Sequence, residues 1–196
     1  MARKISFVTL LLLVACLPPA VGQKLAVKTN LAQAAATLTP NLGAELRFAP
    51  RWTLDISGGY NPWNLDGSKA DNDKLVHWVL QPEVRFWTCS AFSGHFLGVH
   101  GICSSYNISG HELPMLLGKG SEANRYQGNA FGAGISYGYH WILHPRWSLE
   151  FTAGVGYMRL THDIYDRSKC GWYIGNAKRD YFGPTKLGIT LIFMIK

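Results

Sequence analysis

Apolar and polar side chains alternate with a period of two along most of this chain, and Gly, Pro, Asn and Asp interrupt the alternation at intervals. A period of two sends successive side chains to opposite faces of a strand, so each run predicts a half-buried β-strand. Eight are expected, at residues 24–31, 41–48, 52–60, 76–87, 95–106, 129–141, 147–160 and 185–195. The fifth alternates poorly and leaves its phase open. Three connectors are short (49–51, 88–94, 142–146) and three are long and polar (61–75, 107–128, 161–184). The connector at 32–40 is shorter than those three. Short turns at one end and long loops at the other is how outer-membrane barrels are built, with the short turns periplasmic. An even strand count then leaves both chain ends on the periplasmic side.

The two faces differ in kind. One carries Leu42, Leu46, Leu54, Ile56, Leu80, Val84, Ile135, Leu149, Val155 and Leu187 among its aliphatics, and no charge interrupts it. The other carries Lys28, Glu45, Arg47, Asp55, Glu83, Arg85, Glu150 and Lys186, with the small run Ala130, Gly132, Gly134, Ser136 and Gly138. Alternation alone does not say which face points out. The interior of an eight-stranded barrel is just wide enough for side chains or one small ligand, and the rings of the apolar face would overfill it. Ring position agrees. Phe48, Trp52, Phe86, Trp141, Trp147 and Phe193 fall at short-turn ends, and Tyr60, Trp78, Phe131 and Tyr157 at long-loop ends. Aromatic girdles at both rims with aliphatics between them mark a lipid-facing wall. Strands cross lipid only in a closed sheet. The expected fold is therefore all-β, an eight-stranded antiparallel up-and-down transmembrane β-barrel. Its lumen is filled by a salt-bridge network of the eight charged residues named above, four acids against four bases.

Composition narrows the picture further. The chain has 196 residues, 21 Gly, 7 Trp, 9 Tyr and 9 Phe, and a net charge of +7. Only 16% of residues are charged, against about 25% in an average soluble domain. Beyond residue 22 no apolar run approaches the ~18 residues of a membrane helix. The many aromatics and few charges exclude a disordered chain. Residues 1–22 read as an export signal: Arg3 and Lys4, an apolar stretch over 5–15, then the small-x-small site Ala20-Val21-Gly22. The domain expected to remain is 23–196, bound for the bacterial outer membrane. A rival reading takes Leu13-Val14-Ala15-Cys16 as a lipobox that would make Cys16 a lipidated N-terminus. Past the signal stand Cys89, Cys103 and Cys170, without the Cys/His spacing of a zinc site, so no metal and no cofactor is expected. Cys103 and Cys170 fall toward the long-loop end and form a candidate disulfide, whereas Cys89 falls at the opposite end.

Several stretches, taken together, carry a resemblance: Lys28-Thr29-Asn30-Leu31, Pro40-Asn41-Leu42-Gly43-Ala44-Glu45, Arg51-Trp52-Thr53-Leu54-Asp55, Tyr60-Asn61-Pro62-Trp63, Gln81-Pro82-Glu83-Val84-Arg85-Phe86-Trp87, Gly94-His95-Phe96-Leu97-Gly98, Tyr137-Gly138-Tyr139 and Tyr181-Phe182-Gly183-Pro184-Thr185-Lys186. The chain is similar over nearly all of 23–196 to a Bacteroidetes family, the domain of unknown function numbered 3575. The resemblance implies a small outer-membrane β-barrel, sometimes encoded near fimbrial genes, with no established activity and no catalytic residues to carry over. Outer-membrane strands often end on an aromatic residue, whereas this chain ends Phe193-Met194-Ile195-Lys196.

Catalytic motifs are scarce. Gly132-x-Gly134 lies inside a strand pattern and precedes no helix, so it is not a nucleotide loop. Gly-x-Ser-x-Gly, His-Glu-x-x-His and P-loop patterns are absent from the sequence. Ser104, Ser105, His111, His162 and Asp163 form the one set near the outer rim that would supply a nucleophile and a base. The leading expectation is a non-enzymatic barrel that displays long loops for surface interaction, adhesion or fimbria-related assembly. Its expected partners are outer-membrane lipid, lipopolysaccharide, the outer-membrane assembly machinery and a fimbrial or other surface protein, with no nucleic acid. Two alternatives stand beside it: a lipid-modifying enzyme with a Ser/His/acid site at the outer rim, and a soluble periplasmic ligand-carrying barrel.

Overall fold

The computed structural model describes residues 25–63, 73–113, 116–118, 121–168 and 170–195. The expected signal and Cys16 lie outside these residues. Eight strands follow one another: β1 (Leu25–Asn30), β2 (Asn41–Ala49), β3 (Trp52–Asn61), β4 (Lys74–Trp87), β5 (Gly94–Ser109), β6 (Asn124–His144), β7 (Trp147–Asp166) and β8 (Tyr173–Ile195). Each pairs antiparallel with the next, and β1 pairs with β8, so the sheet closes as an up-and-down barrel. Closure removes the edges that an open sheet would leave unpaired. The join is made by six residues of β1, from Leu25 opposite Ile195 to Asn30 opposite Thr190.

The connector at 32–40 is more than a loop. Helix α1 (Leu31–Thr37) follows β1 directly. The side chain of Asn30 caps it by accepting from the Gln33 N–H at 3.3 Å. An alanine-rich run with little side-chain entropy to lose continues the helix. Leu38, at φ 50°, ends it. Asn61 at the end of β3 donates to the Thr37 carbonyl at 2.8 Å, and the Trp63 indole donates to the Leu38 carbonyl at 2.8 Å.

The later strands are longer than their apolar alternation. β6, β7 and β8 continue well past Asn129, Leu160 and Thr185, and the ladder between β7 and β8 runs on to Tyr165 opposite Tyr173. The connectors expected at 107–128 and 161–184 shrink to 110–123 and 167–172. β5 settles its open phase with Phe96, His100, Ile102 and Tyr106 inward and Leu97 and Val99 outward.

The interior is layered. At the short-turn end Ala26, Trp87, Ala91, Phe92, Phe96 and Ile192 pack into an apolar stopper. The turn after β4 folds beneath it, with the Ala91 N–H donating to the Pro50 carbonyl at 3.0 Å. A charged layer lies above the stopper. At the long-loop end a second apolar cluster gathers Tyr106, Ile108, Leu117, Tyr126, Ala130 and Leu160. Glycines on β6 and β5 make room for these layers: a Cβ at Gly138 on β6 would collide with the Phe96 ring, and one at Gly98 on β5 with Glu83 and Ser136. No helix among the described residues is long and apolar enough to cross a membrane, which says nothing about strands.

Candidate functional site

The charged layer is built by direct cross-strand register. Glu45, Asp55 and Glu83 stand opposite one another on β2, β3 and β4. Three adjacent carboxylates repel, so the arrangement holds only if cations cover it. Arg85 does most of this. Its Nε donates to Glu83 Oε2 at 2.7 Å, Nη1 to Glu45 Oε2 and Glu150 Oε2 at 3.0 Å each, and Nη2 to Asp55 Oδ2 at 3.3 Å. Lys28 reaches from β1 to the Glu45 carboxylate, to Glu150 Oε2 at 3.1 Å and to Asp55 Oδ1 at 3.8 Å. Lys186 on β8 stands 2.7 Å from Glu83 Oε2 and 3.8 Å from Asp55 Oδ2. Hydroxyls take further carboxylate lone pairs: Thr53 donates to Glu45, Ser136 to Glu83, and Thr152 to Glu150 at 3.0 Å. Buried charges survive only when paired and hydrogen-bonded in this way.

Seven of the eight charged residues meet in this layer. Arg47 does not. It is half-buried near the short-turn end, beside the register shift between Arg47 and Ala49, and has no ion pair among the described residues. The expected balance of four acids and four bases is therefore corrected to four acids and three bases. The pattern also gave no place to His140, which is 2% exposed with Nδ1 3.8 Å from Glu150 Oε2, or to His100, whose Nε2 lies 3.0 Å from Thr185 Oγ1. Both histidines share the inward phase of Gly134, Ser136 and Gly138, which is the signal that would have found them.

The outer surface carries the rings. Phe48, Trp52, Tyr60, Trp78, Phe131, Trp141, Trp147 and Tyr157 are exposed, and Phe86 and Phe193 half-buried. Most of those at the short-turn end pack on neighbouring rings, Trp52 on Phe86 at 5.1 Å, Trp147 on Phe193 at 5.0 Å and Trp141 on Phe151 at 5.8 Å between centroids. Just past Tyr157 the surface turns polar. Arg159 Nε lies 2.8 Å from Asp180 Oδ1, and the Tyr157 hydroxyl donates to the same oxygen at 2.6 Å. These two donors, Arg159 first, hold the Asp180 carboxyl below the usual carboxylate range. At the tip of the β7–β8 hairpin Trp172 is 71% exposed, beside exposed Tyr173 and Ile174.

The Ser/His/acid set is spread across both faces. Ser104 Oγ donates to the Trp78 carbonyl at 2.7 Å. His162 points inward to the Tyr106 hydroxyl at 3.1 Å, while Asp163 points outward. His111 offers its carbonyl to Ser121 Oγ at 3.2 Å. Among the described residues no hydrogen bond joins a serine of this set to one of its histidines. Burial, then the Arg179 cation, pushes the His162 pKa down.

The candidate disulfide is corrected: Cys89, Cys103 and Cys170 are all free thiols. Cys103 is level with Phe131, and Phe131 with Arg159. From there β7 climbs to Asp166 before the loop that holds Cys170 begins, about 23 Å at ~3.3 Å per residue. A disulfide needs Cα atoms within about 7 Å.

These features define a closed eight-stranded antiparallel barrel whose interior is packed with side chains and whose outer wall is apolar. The chain belongs to a protein family of unknown function, DUF3575, whose model matches residues 7–195. No curated protein and no solved structure matches it.

Proposed function

We propose that the chain is an outer-membrane β-barrel, non-enzymatic, that holds its long hairpins outside the cell for contact with a fimbrial or other surface protein. One observation carries the reading: the apolar, ring-bordered face points outward and the charged face inward. Large exposed apolar surface on a closed monomer marks a membrane or a partner, and here it runs around the barrel between two sets of rings. A soluble carrier would show the opposite polarity, with its apolar face inside. The expected export signal agrees with this destination. Bilayer lipid and lipopolysaccharide are then the neighbours of the wall, and the outer-membrane assembly machinery inserts it. The hairpin β7–β8, with Trp172, Tyr173 and Ile174 at its tip, is the contact surface most exposed to such a partner.

The two exposed thiols test location and topology together. Cys89 sits in a short turn and Cys170 in the last long loop. A membrane-impermeant maleimide applied to intact cells should modify Cys170 and leave Cys89 unmodified until the outer membrane is opened. Equal modification of both, or neither, in intact cells overturns the reading.

A further inference from the structure

Between the charged layer and the loops the interior holds a chamber of about 450 Å³. That lies within the ~300–1,000 Å³ of small-ligand sites. Gln81 and Thr185 line its floor, Ile102, Ala130, Met158 and Leu160 its walls, and Leu113, Leu116 and Leu117 of the 110–123 connector its roof. Several of the polar groups within it are engaged with the protein. Ser104 Oγ is taken by the Trp78 carbonyl. His77 lies with Nδ1 3.1 Å from the Leu75 carbonyl and Nε2 3.4 Å from Thr39 Oγ1. Gln81 Nε2 donates to the Thr185 carbonyl at 3.3 Å. A lining made mostly of apolar side chains, Leu, Ile, Met and Ala among them, favours an apolar guest.

The β4–β5 ladder is weakest beside this chamber. The β4–β5 ladder pairs Leu80 with Cys103, lapses, and resumes in the same register at Glu83 opposite His100. Pro82, which has no N–H to donate, stands in this stretch opposite Gly101, and its ring covers the glycine, with Cγ 3.5 Å from where a Gly101 Cβ would lie. Gln81 and Ile102, the inward neighbours of this stretch, line the chamber, while Leu80 and Val99 stand exposed on the outer wall nearby. A second proline, Pro184, lines the chamber where the β7–β8 register shifts between Gly154 and Val155.

We propose that this chamber binds one acyl chain, taken from the surrounding bilayer where the wall at Pro82 and Gly101 lacks ladder hydrogen bonds and parts most readily. The source is either a membrane phospholipid or a free fatty acid, and the proposal rests on the membrane placement argued above. The guest fills the upper interior above the charged layer, so the barrel is a lipid-binding protein as well as a display scaffold.

The full chain, folded into liposomes, tests this with two probes used separately: a phospholipid and a free fatty acid, each carrying a photoactivated diazirine near the chain terminus. Adducts are mapped by mass spectrometry. The expected result is adducts at Ile102, Met158 or Leu160 with at least one probe, together with outer-wall adducts at residues such as Leu97 and Ile135. The probe that reaches the chamber identifies the source. Ala130→Phe fills the chamber and should abolish the inner adducts while the outer ones remain, with Leu160→Phe as a second filling variant. Folding of each variant is read from heat-dependent gel mobility. Adducts confined to the outer wall in the native protein, or inner adducts undiminished in both folded variants, overturn the chamber. Absence of outer-wall adducts overturns the membrane placement, and the chamber's route with it.

Discussion

The guanidinium carbon of Arg85 lies 4.5 Å from the centroid of the Phe96 ring, so the cation at the centre of the charged layer rests on the aromatic stopper beneath it. Four carboxylates and one ring face converge on one side chain. Arg85→Ala leaves those carboxylates short of their cation in a buried layer, and breaking such a set costs about 3–5 kcal/mol. A matching fall in the urea stability of the folded form, read by gel mobility, is expected. Arg85→Lys should recover part of the loss only, because an ammonium cannot reproduce the planar fork. A stability equal to the native protein's for Arg85→Ala would show that the layer carries no such weight.

Gly98 stands where a Cβ would meet Glu83 and Ser136, both side chains of the charged layer. Gly98→Ala therefore pushes the carboxylate that Arg85 and Lys186 share. Overpacking of this kind costs about 1–3 kcal/mol. The same urea measurement should show the loss, and Ser136→Gly in the same chain should return part of it by clearing one of the two collisions.

His162 gives the long-loop end a pH dependence. Burial among Tyr106, Tyr126 and the outer cluster lowers its pKa, so the folded chain takes up this proton less readily than the unfolded chain. The stability gained from neutral His162 is complete above the ordinary histidine value of ~6.5 and is lost as pH falls from there through the lowered folded value. Amide exchange at Tyr106, Tyr126 and Leu160, corrected for intrinsic rate, should lose protection between about pH 7.5 and pH 5. His162→Phe should flatten that difference, and an unchanged pH response in that variant would assign it to another group.

How much of this could be read from residues alone follows from where the alternation has something to report. Leu54, Ile56 and Val84 face out while Asp55, Glu83 and Arg85 face in, so a period of two is plain there. Beyond Leu160 the two sides of β7 are both polar: His162 points in and Asp163 points out, and Thr161 and Asp163 follow no apolar rhythm. A strand with polar residues on both faces looks like loop, which is why the alternation stops short of the true ends of β7 and β8. Helix α1 was legible in retrospect, because Asn30 before Leu-Ala-Gln-Ala-Ala-Ala is a capping residue before strong helix formers. Arg47 keeps the inward phase, opposite buried Thr53, but phase tells which face a residue takes and not whether it reaches a partner. The chamber has almost no sequence signal: its lining comes from five strands, helix α1 and one connector spread along the chain, and only Pro82 leaves a mark.

The six-residue join between β1 and β8 sets the order in which this ring is finished. Every other pairing links neighbours along the chain and asks for the closing of one hairpin, whereas this one brings together the two ends. Contacts so distant in sequence form late, because their loop entropy is the largest. Until then β1 and β8 remain sticky, ready to adopt a stranger's strand in place of each other. The Lys28 ammonium on β1, 3.1 Å from Glu150 on β7, adds a buried polar contact across that last join.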